Sequence, residues 1–206
     1  HIDKDFHTFF LDFCRNNLVY IVTGSDKSKT IEQITLEIYN SCKTVYNCLG
    51  NDVWQGNENI YTSDWKIPEV VHEALSFLLG ESEFPLRTGL HFEHRTGLCN
   101  FSVVGRNANL EQRKQYVEWD KITYERIKIA NAINEMFPSI EAKIGGETGI
   151  DIIERGRDKA QIMSHFDEDD VKLYFFGDRM DKSGNDYTLS RAVKDKGGEL
   201  FHVKDY

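Results

Sequence analysis

An apolar run at residues 173–177 ends abruptly at Asp178, and the polar loop that follows closes on Gly-Asn-Asp at 184–186. The run predicts a buried strand, and the loop starts where the carboxyl end of that strand would lie. In an open α/β sheet, ligands bind just beyond the carboxyl ends of the strands. Carboxylate and amide oxygens gathered there suit Mg²⁺. We therefore predict an α/β fold with Asp178, Asn185 and Asp186 at a metal site; an acidic loop after an edge strand is the plainer alternative.

A second strand-to-loop junction follows the β-branched run at 18–22, where Thr23, Gly24 and Ser25 precede a predicted helix over about 29–39. Small residues at such a turn leave backbone N–H groups free to face a phosphate, and a hydroxyl adds a donor. The pattern predicts a phosphate-binding loop. Taken alone, it is also typical of an ordinary turn with a helix cap.

The third polar segment is Arg-Gly-Arg-Asp-Lys at residues 155–159, which precedes a helix-like run to about Phe166. The ammonium group of Lys159 is suited to contact a phosphate or a nucleophilic carboxylate. A solvated charged turn is the alternative for this segment by itself.

These three segments follow one another along the chain: a strand that ends in Thr23, then Lys159, then a strand that ends in Gly177-Asp178. In this order they resemble motifs two, three and four of the haloacid dehalogenase superfamily. The chain is further similar to the eukaryotic-type phosphomannomutases in three segments, at 23–26, 95–106 and 144–151. The resemblance covers nearly the whole chain. It implies a three-layer Rossmann-like haloacid dehalogenase core with an inserted α+β cap domain, the core at 1–53 and 152–206 and the cap at 54–151.

The resemblance also implies a function, the interconversion of hexose 6-phosphate and hexose 1-phosphate through an aspartyl-phosphate. Asp178 would hold Mg²⁺ with Asn185 and Asp186, and Lys159 and Asp178 would be the catalytic residues within this chain. A hexose bisphosphate would serve as activator, and the cap would mediate a homodimer. The implied phosphate-binding residues are Thr23, Gly24, Ser25 and Lys159, and the implied substrate-binding residues are Arg95, Arg106, Arg113, Gly149 and Asp151.

Two departures from the family pattern leave alternatives open. The superfamily's Asp-x-Asp-Gly-Thr motif, which carries the nucleophile and the acid/base, is absent, and the sequence opens on a predicted helix at 6–16. We expect that motif roughly 10–20 residues upstream of His1; a non-catalytic phosphosugar-binding protein is the alternative. Gly149 stands where the family has a serine, which keeps a Mg²⁺-dependent phosphosugar phosphatase open as well.

The amino-acid composition argues against some classes of binding partner. The net charge is −9 over 206 residues, which argues against nucleic acid or an anionic membrane as a partner. It does not argue against a small hexose phosphate, the partner that the resemblance implies, because local arginines decide whether such a substrate binds. No apolar run is long enough to span a membrane. The cysteines and histidines show no metal-ligand spacing, and free thiols in a cytoplasmic protein are expected.

Between these segments the pattern predicts the elements of the cap. A turn at 55–59 separates two short strands, and an amphipathic helix starts at Pro68. Alternating residues predict strands at 91–93 and 98–104. Apolar periodicity predicts a single long helix over 110–137.

Overall fold

The computed structural model describes residues 2–166, 171–182 and 184–204. Its helices are α1 Lys4–Asn16, α2 Lys27–Ile34, α3 Leu36–Ser41, α4 Glu69–Glu81, α5 Leu110–Thr123, α6 Glu125–Met136 and α7 Tyr187–Asp195. Its strands are β1 Tyr20–Val22, β2 Thr44–Asn47, β3 Asp52–Gln55, β4 Glu58–Thr62, β5 Phe92–Arg95, β6 Leu98–Phe101, β7 Ile140–Gly145, β8 Gly149–Glu154, β9 Tyr174–Gly177 and β10 Glu199–His202. Two 3₁₀ segments, Cys48–Gly50 and Lys159–Phe166, complete the described elements.

The first sheet has the order β1-β2-β3-β4, with β1 parallel to β2 and the remaining pairs antiparallel. One face packs against α1, α2 and α3 in a cluster that contains Ile38, Tyr39 and Val45, and the free thiols of Cys14 and Cys42 are buried in it. The opposite face packs against α7 and the second 3₁₀ segment. This layering confirms the predicted α/β core.

Strands β9 and β10 form a separate parallel pair. Val22, Phe175 and Leu200 pack against one cluster that includes Leu189 and Val193 of α7, so the first sheet and this pair share a core. In the described part of the chain, β1 and β9 each pair with a neighbour on one side only. Within residues 2–166, 171–182 and 184–204, no strand is hydrogen-bonded to the other edge of either.

The third sheet, which we call the cap sheet, is antiparallel with the order β5-β6-β8-β7. Alternate residues of its strands, among them Phe101, Ile150 and Ile152, point to one face and pack under α4, α5 and α6. The residues between them point to the other face, which is mostly polar. The predicted α+β cap is confirmed, and its polar face is the side available to the core.

Two predicted helices are each divided in the structure. The helix predicted at 29–39 breaks at Thr35 (φ 76°), and the one predicted at 110–137 breaks at Tyr124 (φ 55°). Apolar periodicity continues through both breaks, so it does not reveal them. At the second break, Asp120 Oδ1 accepts the backbone N–H of Arg126 at 2.8 Å and Oδ2 accepts its Nε at 2.8 Å. These bonds replace helical hydrogen bonds lost at the break.

The strand boundaries refine the predicted organisation. β6 ends at Phe101, short of the predicted strand end at 104, and the run at 159–166 is a 3₁₀ segment rather than an α-helix. β4 pairs in the first sheet, and β8 stays in the cap sheet through Glu154. The division into core and cap at 53/54 and 151/152 stays a prediction, and the pairing favours moving both boundaries toward the C-terminus.

None of the helices described here has the length and apolarity needed to cross a bilayer.

Candidate active site

The predicted phosphate-binding loop lies directly after β1. Its backbone is fixed by the segment after β2, because Leu49 N donates to Thr23 O at 2.8 Å and Cys48 N donates to Ser25 O at 2.9 Å. Within the loop, Ser25 N donates to Thr23 Oγ1 at 3.1 Å. The loop is thus held rigidly at the carboxyl end of a parallel strand, the position at which α/β proteins bind ligands.

Lys159 and Asp186 form a buried ion pair. Lys159 Nζ lies 2.6 Å from Asp186 Oδ1, and the two side chains are 9% and 5% exposed. The second oxygen, Asp186 Oδ2, accepts Arg179 N at 3.3 Å. A Cβ at Gly177 would lie 2.9 Å from the same oxygen, so the carboxylate packs against the end of β9. Lys159 and Asp186 come from separate segments of the sequence that were predicted to form one site, and the structure brings them into contact.

The predicted metal site lies at the same strand end. Asp178 follows β9 directly and is exposed, and Asn185 precedes the buried Asp186. Among residues 2–166, 171–182 and 184–204, no three His, Cys, Asp or Glu side chains are grouped as a metal cluster. The carboxylate of Asp178 and the amide of Asn185 are oxygen donors of the kind that Mg²⁺ prefers, and Asp186 is already bound by Lys159. The donor set fits the ion, and its metal role stays a prediction.

A polar row crosses the cap sheet on its open face. Glu93 lies opposite Asn100, Asn100 opposite Asp151, and Asp151 opposite Lys143. Asn100 Nδ2 donates to Asp151 Oδ1 at 2.6 Å. In the described part of the chain, no group bonds to Asn100 Oδ1, although that atom is buried. The row sets hydrogen-bonding and charged groups side by side on this face of the cap sheet.

Two glycines leave space for the side chains of this row. A Cβ at Gly145 would lie 2.4 Å from the Asp151 carboxyl carbon, and a Cβ at Gly149 would lie 2.5 Å from Asn100 Nδ2. Gly149 was predicted as a substrate-binding residue. The structure shows that its missing side chain makes room for the amide of Asn100.

Asp151 is a carboxylate of the row whose pKa is shifted upward. Burial raises the pKa of Asp151, while the hydrogen bond from Asn100 and the positive charges of Arg95, Arg106 and Lys159 oppose the rise. Lys159 belongs to the core and the two arginines to the cap. All three positive charges therefore act on this one carboxylate.

The three predicted arginines differ in their surroundings. Arg95 donates from Nε to Glu93 Oε1 at 2.7 Å and from Nη1 to Gly24 O at 3.1 Å. Arg106 forms an ion pair with the other oxygen of Glu93. Arg113 donates from Nε to Ala108 O at 2.9 Å and from Nη2 to Arg106 O at 3.2 Å. Arg113 thus supports the backbone beside Arg106, and its contact with substrate stays a prediction.

Several contacts hold the open face of the cap sheet against the core. Besides the Arg95–Gly24 bond, Lys143 Nζ lies 2.6 Å from Asp158 Oδ2. Leu98 and Ile153 of the cap sheet are buried in one cluster with two residues of the first 3₁₀ segment. The core and the cap consequently meet at one junction, where Arg95 contacts the phosphate-binding loop directly; we call this junction the cleft.

Three site residues were not predicted, namely Glu93, Asn100 and Lys143. Glu93 and Asn100 lie within or beside the segments that carry the arginines, and period-two alternation would have put them on the arginine face. Their partners depend on strand register, which the sequence pattern alone does not fix.

The fold and this strand-end site define the class of protein. The structure is similar to a haloacid dehalogenase-like hydrolase from Bacteroides thetaiotaomicron, with a TM-score of 0.60 and 12% identity, covering 94% of this chain and 79% of that chain. At that identity the likeness concerns the fold. The chain therefore has the fold of the haloacid dehalogenase-like proteins, as its sequence predicted.

Comparison of sequences then gives the family. Residues 6–202 match the model of eukaryotic phosphomannomutases. The chain is 28% identical over 208 residues to a phosphomannomutase of Arabidopsis thaliana, covering 95% of this chain and 84% of the relative. It is 30% identical over 177 residues to a phosphomannomutase of Saccharomyces cerevisiae, covering 82% and 70%. The chain belongs to the eukaryotic phosphomannomutase family.

Proposed function

We propose that this protein is a phosphohexomutase that interconverts hexose 6-phosphate and hexose 1-phosphate through an aspartyl-phosphate. The observation that carries the proposal is that anion-binding groups of the core and of the cap meet at this cleft, where Arg95 contacts Gly24 O at 3.1 Å. The loop at 23–25 and Lys159 lie on the core side, and Arg95 and Arg106 lie on the cap side. A substrate that carries phosphate at both ends of a sugar, as a hexose bisphosphate does, matches such a cleft.

Each side of the cleft has a distinct task in this proposal. The loop and Lys159 bind the phosphoryl group that is transferred, and the fixed donors stabilise its charge without reorganising. The two arginines bind the phosphate that does not react, since guanidinium offers paired donors to phosphate oxygens. Asp151 accepts hydrogen bonds from sugar hydroxyls. The contacts between cap and core exclude water, which favours transfer back to sugar over hydrolysis.

Asp178, Asn185 and Asp186 are the residues that would hold Mg²⁺. When bound, the ion would neutralise charge on the phosphoryl group as it is transferred. Lys159 fixes Asp186 through the 2.6 Å ion pair and so sets the position of the acidic loop. The mechanism further needs a nucleophilic and an acid/base aspartate, which the family's Asp-x-Asp-Gly-Thr motif would supply.

The test is an isomerisation assay on the full-length protein with Mg²⁺, hexose 1-phosphate and a catalytic amount of hexose 1,6-bisphosphate, followed by ³¹P NMR. We expect hexose 6-phosphate to appear, with inorganic phosphate a minor product, and Asp178→Asn to abolish turnover. Inorganic phosphate released without isomer would establish a phosphatase instead. Specific binding of hexose phosphate with neither reaction would establish a binding protein.

A further inference from the structure

Glu93 lies between two of the cap arginines and contacts both. Its Oε1 accepts Arg95 Nε at 2.7 Å and Arg95 Nη2 at 2.6 Å. Its Oε2 accepts Arg106 Nε. One carboxylate therefore binds two guanidinium groups: Oε1 is shared by two donors of Arg95, and Oε2 is bonded to Arg106.

These contacts use three of the five N–H groups of Arg95, one on each nitrogen, and one N–H group of Arg106. A guanidinium carries five N–H donors. Arg95 uses donors on Glu93 and, through Nη1, on Gly24 O at 3.1 Å, while Arg106 uses its Nε on Glu93. The remaining N–H groups lie at the terminal nitrogens, which are the ones that bind a phosphate end-on.

Glu93 is charged at neutral pH. Burial raises the pKa of Glu93, but the hydrogen bonds and charges of Arg95 and Arg106 outweigh burial, and the net pKa lies below the usual value. The three side chains are between 16% and 28% exposed, so solvent screens their charges only in part. Without the carboxylate, two positive charges would repel each other at this place in the cap.

We propose that Glu93 is a positioning residue, which holds Arg95 and Arg106 side by side so that both can bind one phosphate. The inference rests on the proposed function, because it assigns the two arginines to the phosphate that does not react. It extends that function to a residue that touches no substrate atom.

The test compares Glu93→Gln with the wild-type full-length enzyme in the isomerisation assay. Gln keeps the size of Glu and removes its charge. We expect the KM for hexose 1-phosphate to rise about tenfold, the value of one charge-assisted contact, while kcat falls much less. Glu93→Asp, which keeps the charge on a shorter side chain, should restore part of the affinity and carries the test if the Gln variant does not fold.

Glu141→Gln is the matched control. Glu141 lies on the same face of the cap sheet and pairs with Lys143 at 2.9 Å, away from the two arginines. We expect its KM to match that of the wild type. If Glu93→Gln had the same KM as Glu141→Gln, the proposal would be overturned. An equal loss of kcat/KM in both variants would also overturn it, because that loss would show a general effect on the cap.

A lower KM for Glu93→Gln would also overturn the proposal, since it would show that Glu93 competes with the phosphate for the arginines. A wild-type enzyme with no activity toward, and no binding of, any hexose phosphate would overturn the proposed function itself. The wild type is assayed before any variant is made. Failure of the proposed function is therefore distinguishable from failure of the proposal for Glu93.

Discussion

At the scale of single residues, glycines and buried charges determine the shape of the site. Gly145 and Gly149 leave space that Asp151 and Asn100 occupy, and Lys159 neutralises Asp186 in the interior. Because these contacts are closely packed, single substitutions in them should change the free energy of unfolding more than substitutions at matched control positions do.

Gly149→Ala is expected to destabilise the protein by about 1–3 kcal/mol, because its Cβ would lie 2.5 Å from Asn100 Nδ2 and 2.9 Å from Gly145 O. Urea unfolding measures the change. Gly80→Ala is the control, since a Cβ there meets nothing within 4 Å and the residue lies in α4, where Ala is the better helix former. Equal stability of the two variants would contradict the packing described for Asn100.

Lys159→Met is expected to destabilise the protein by roughly 3–5 kcal/mol, because it leaves the buried carboxylate of Asp186 without its partner. The double variant Lys159→Met/Asp186→Asn should be more stable than the single one, since it removes that charge too. Chemical denaturation of both variants measures the difference. A double variant less stable than the single one would show that Asp186 needs no compensation.

At the scale of secondary-structure elements, the sheets bring together residues far apart in the sequence. Asn100 and Asp151 are 51 residues apart and bond because β6 and β8 pair in register. Strand-end residues such as Thr23 and Asp178 were predictable, because an apolar run that stops at a polar residue is visible in the sequence. Period-two alternation indicates the face on which Glu93 and Asn100 lie, but the bond between Asn100 and Asp151 was not predictable, because it joins strands far apart in the sequence. The helix breaks at Thr35 and Tyr124 were missed because apolar periodicity continues across them.

The ion pair between Lys143 of β7 and Asp158, which follows β8, should stabilise the protein to a degree that depends on pH. Burial raises the pKa of Asp158, but Lys143 outweighs it and the net pKa is lowered, so the stabilisation is present above the unfolded pKa of about 4 and is lost as the pH falls below it. Lys143→Met should therefore cost on the order of 1 kcal/mol at pH 7 and much less near pH 3.

Stability measured against pH for both proteins checks this prediction. Lys172→Met is the control, since Lys172 pairs with Glu199 at the surface and should contribute little at any pH. A loss for Lys143→Met that is the same at pH 3 and pH 7 would show that its pairing with Asp158 is not the cause.

At the scale of the whole molecule, the first sheet and the β9–β10 pair share one core without pairing with each other in the described part of the chain. Tyr174 and Phe176 are 55% and 61% exposed on one face of β9, although parallel strands are usually covered on both faces. We expect a further strand of the full-length protein to pair with β1 and β9. Hydrogen exchange should then show β1 and β9 amides protected in the full-length protein and exchanging faster in residues 1–206 alone. Equal exchange in both would contradict the expected strand.

The central claim is that the two sides of the cleft bind the two phosphates of one sugar. A crystal structure of the full-length protein with Mg²⁺ and hexose 1,6-bisphosphate tests it most directly, through the positions of the two phosphorus atoms. The account predicts one phosphate on the loop at 23–25 and Lys159, and the other on Arg95 and Arg106 with Glu93 still between them. Both phosphates on one side of the cleft, or a sugar bound away from Asp151, would contradict it.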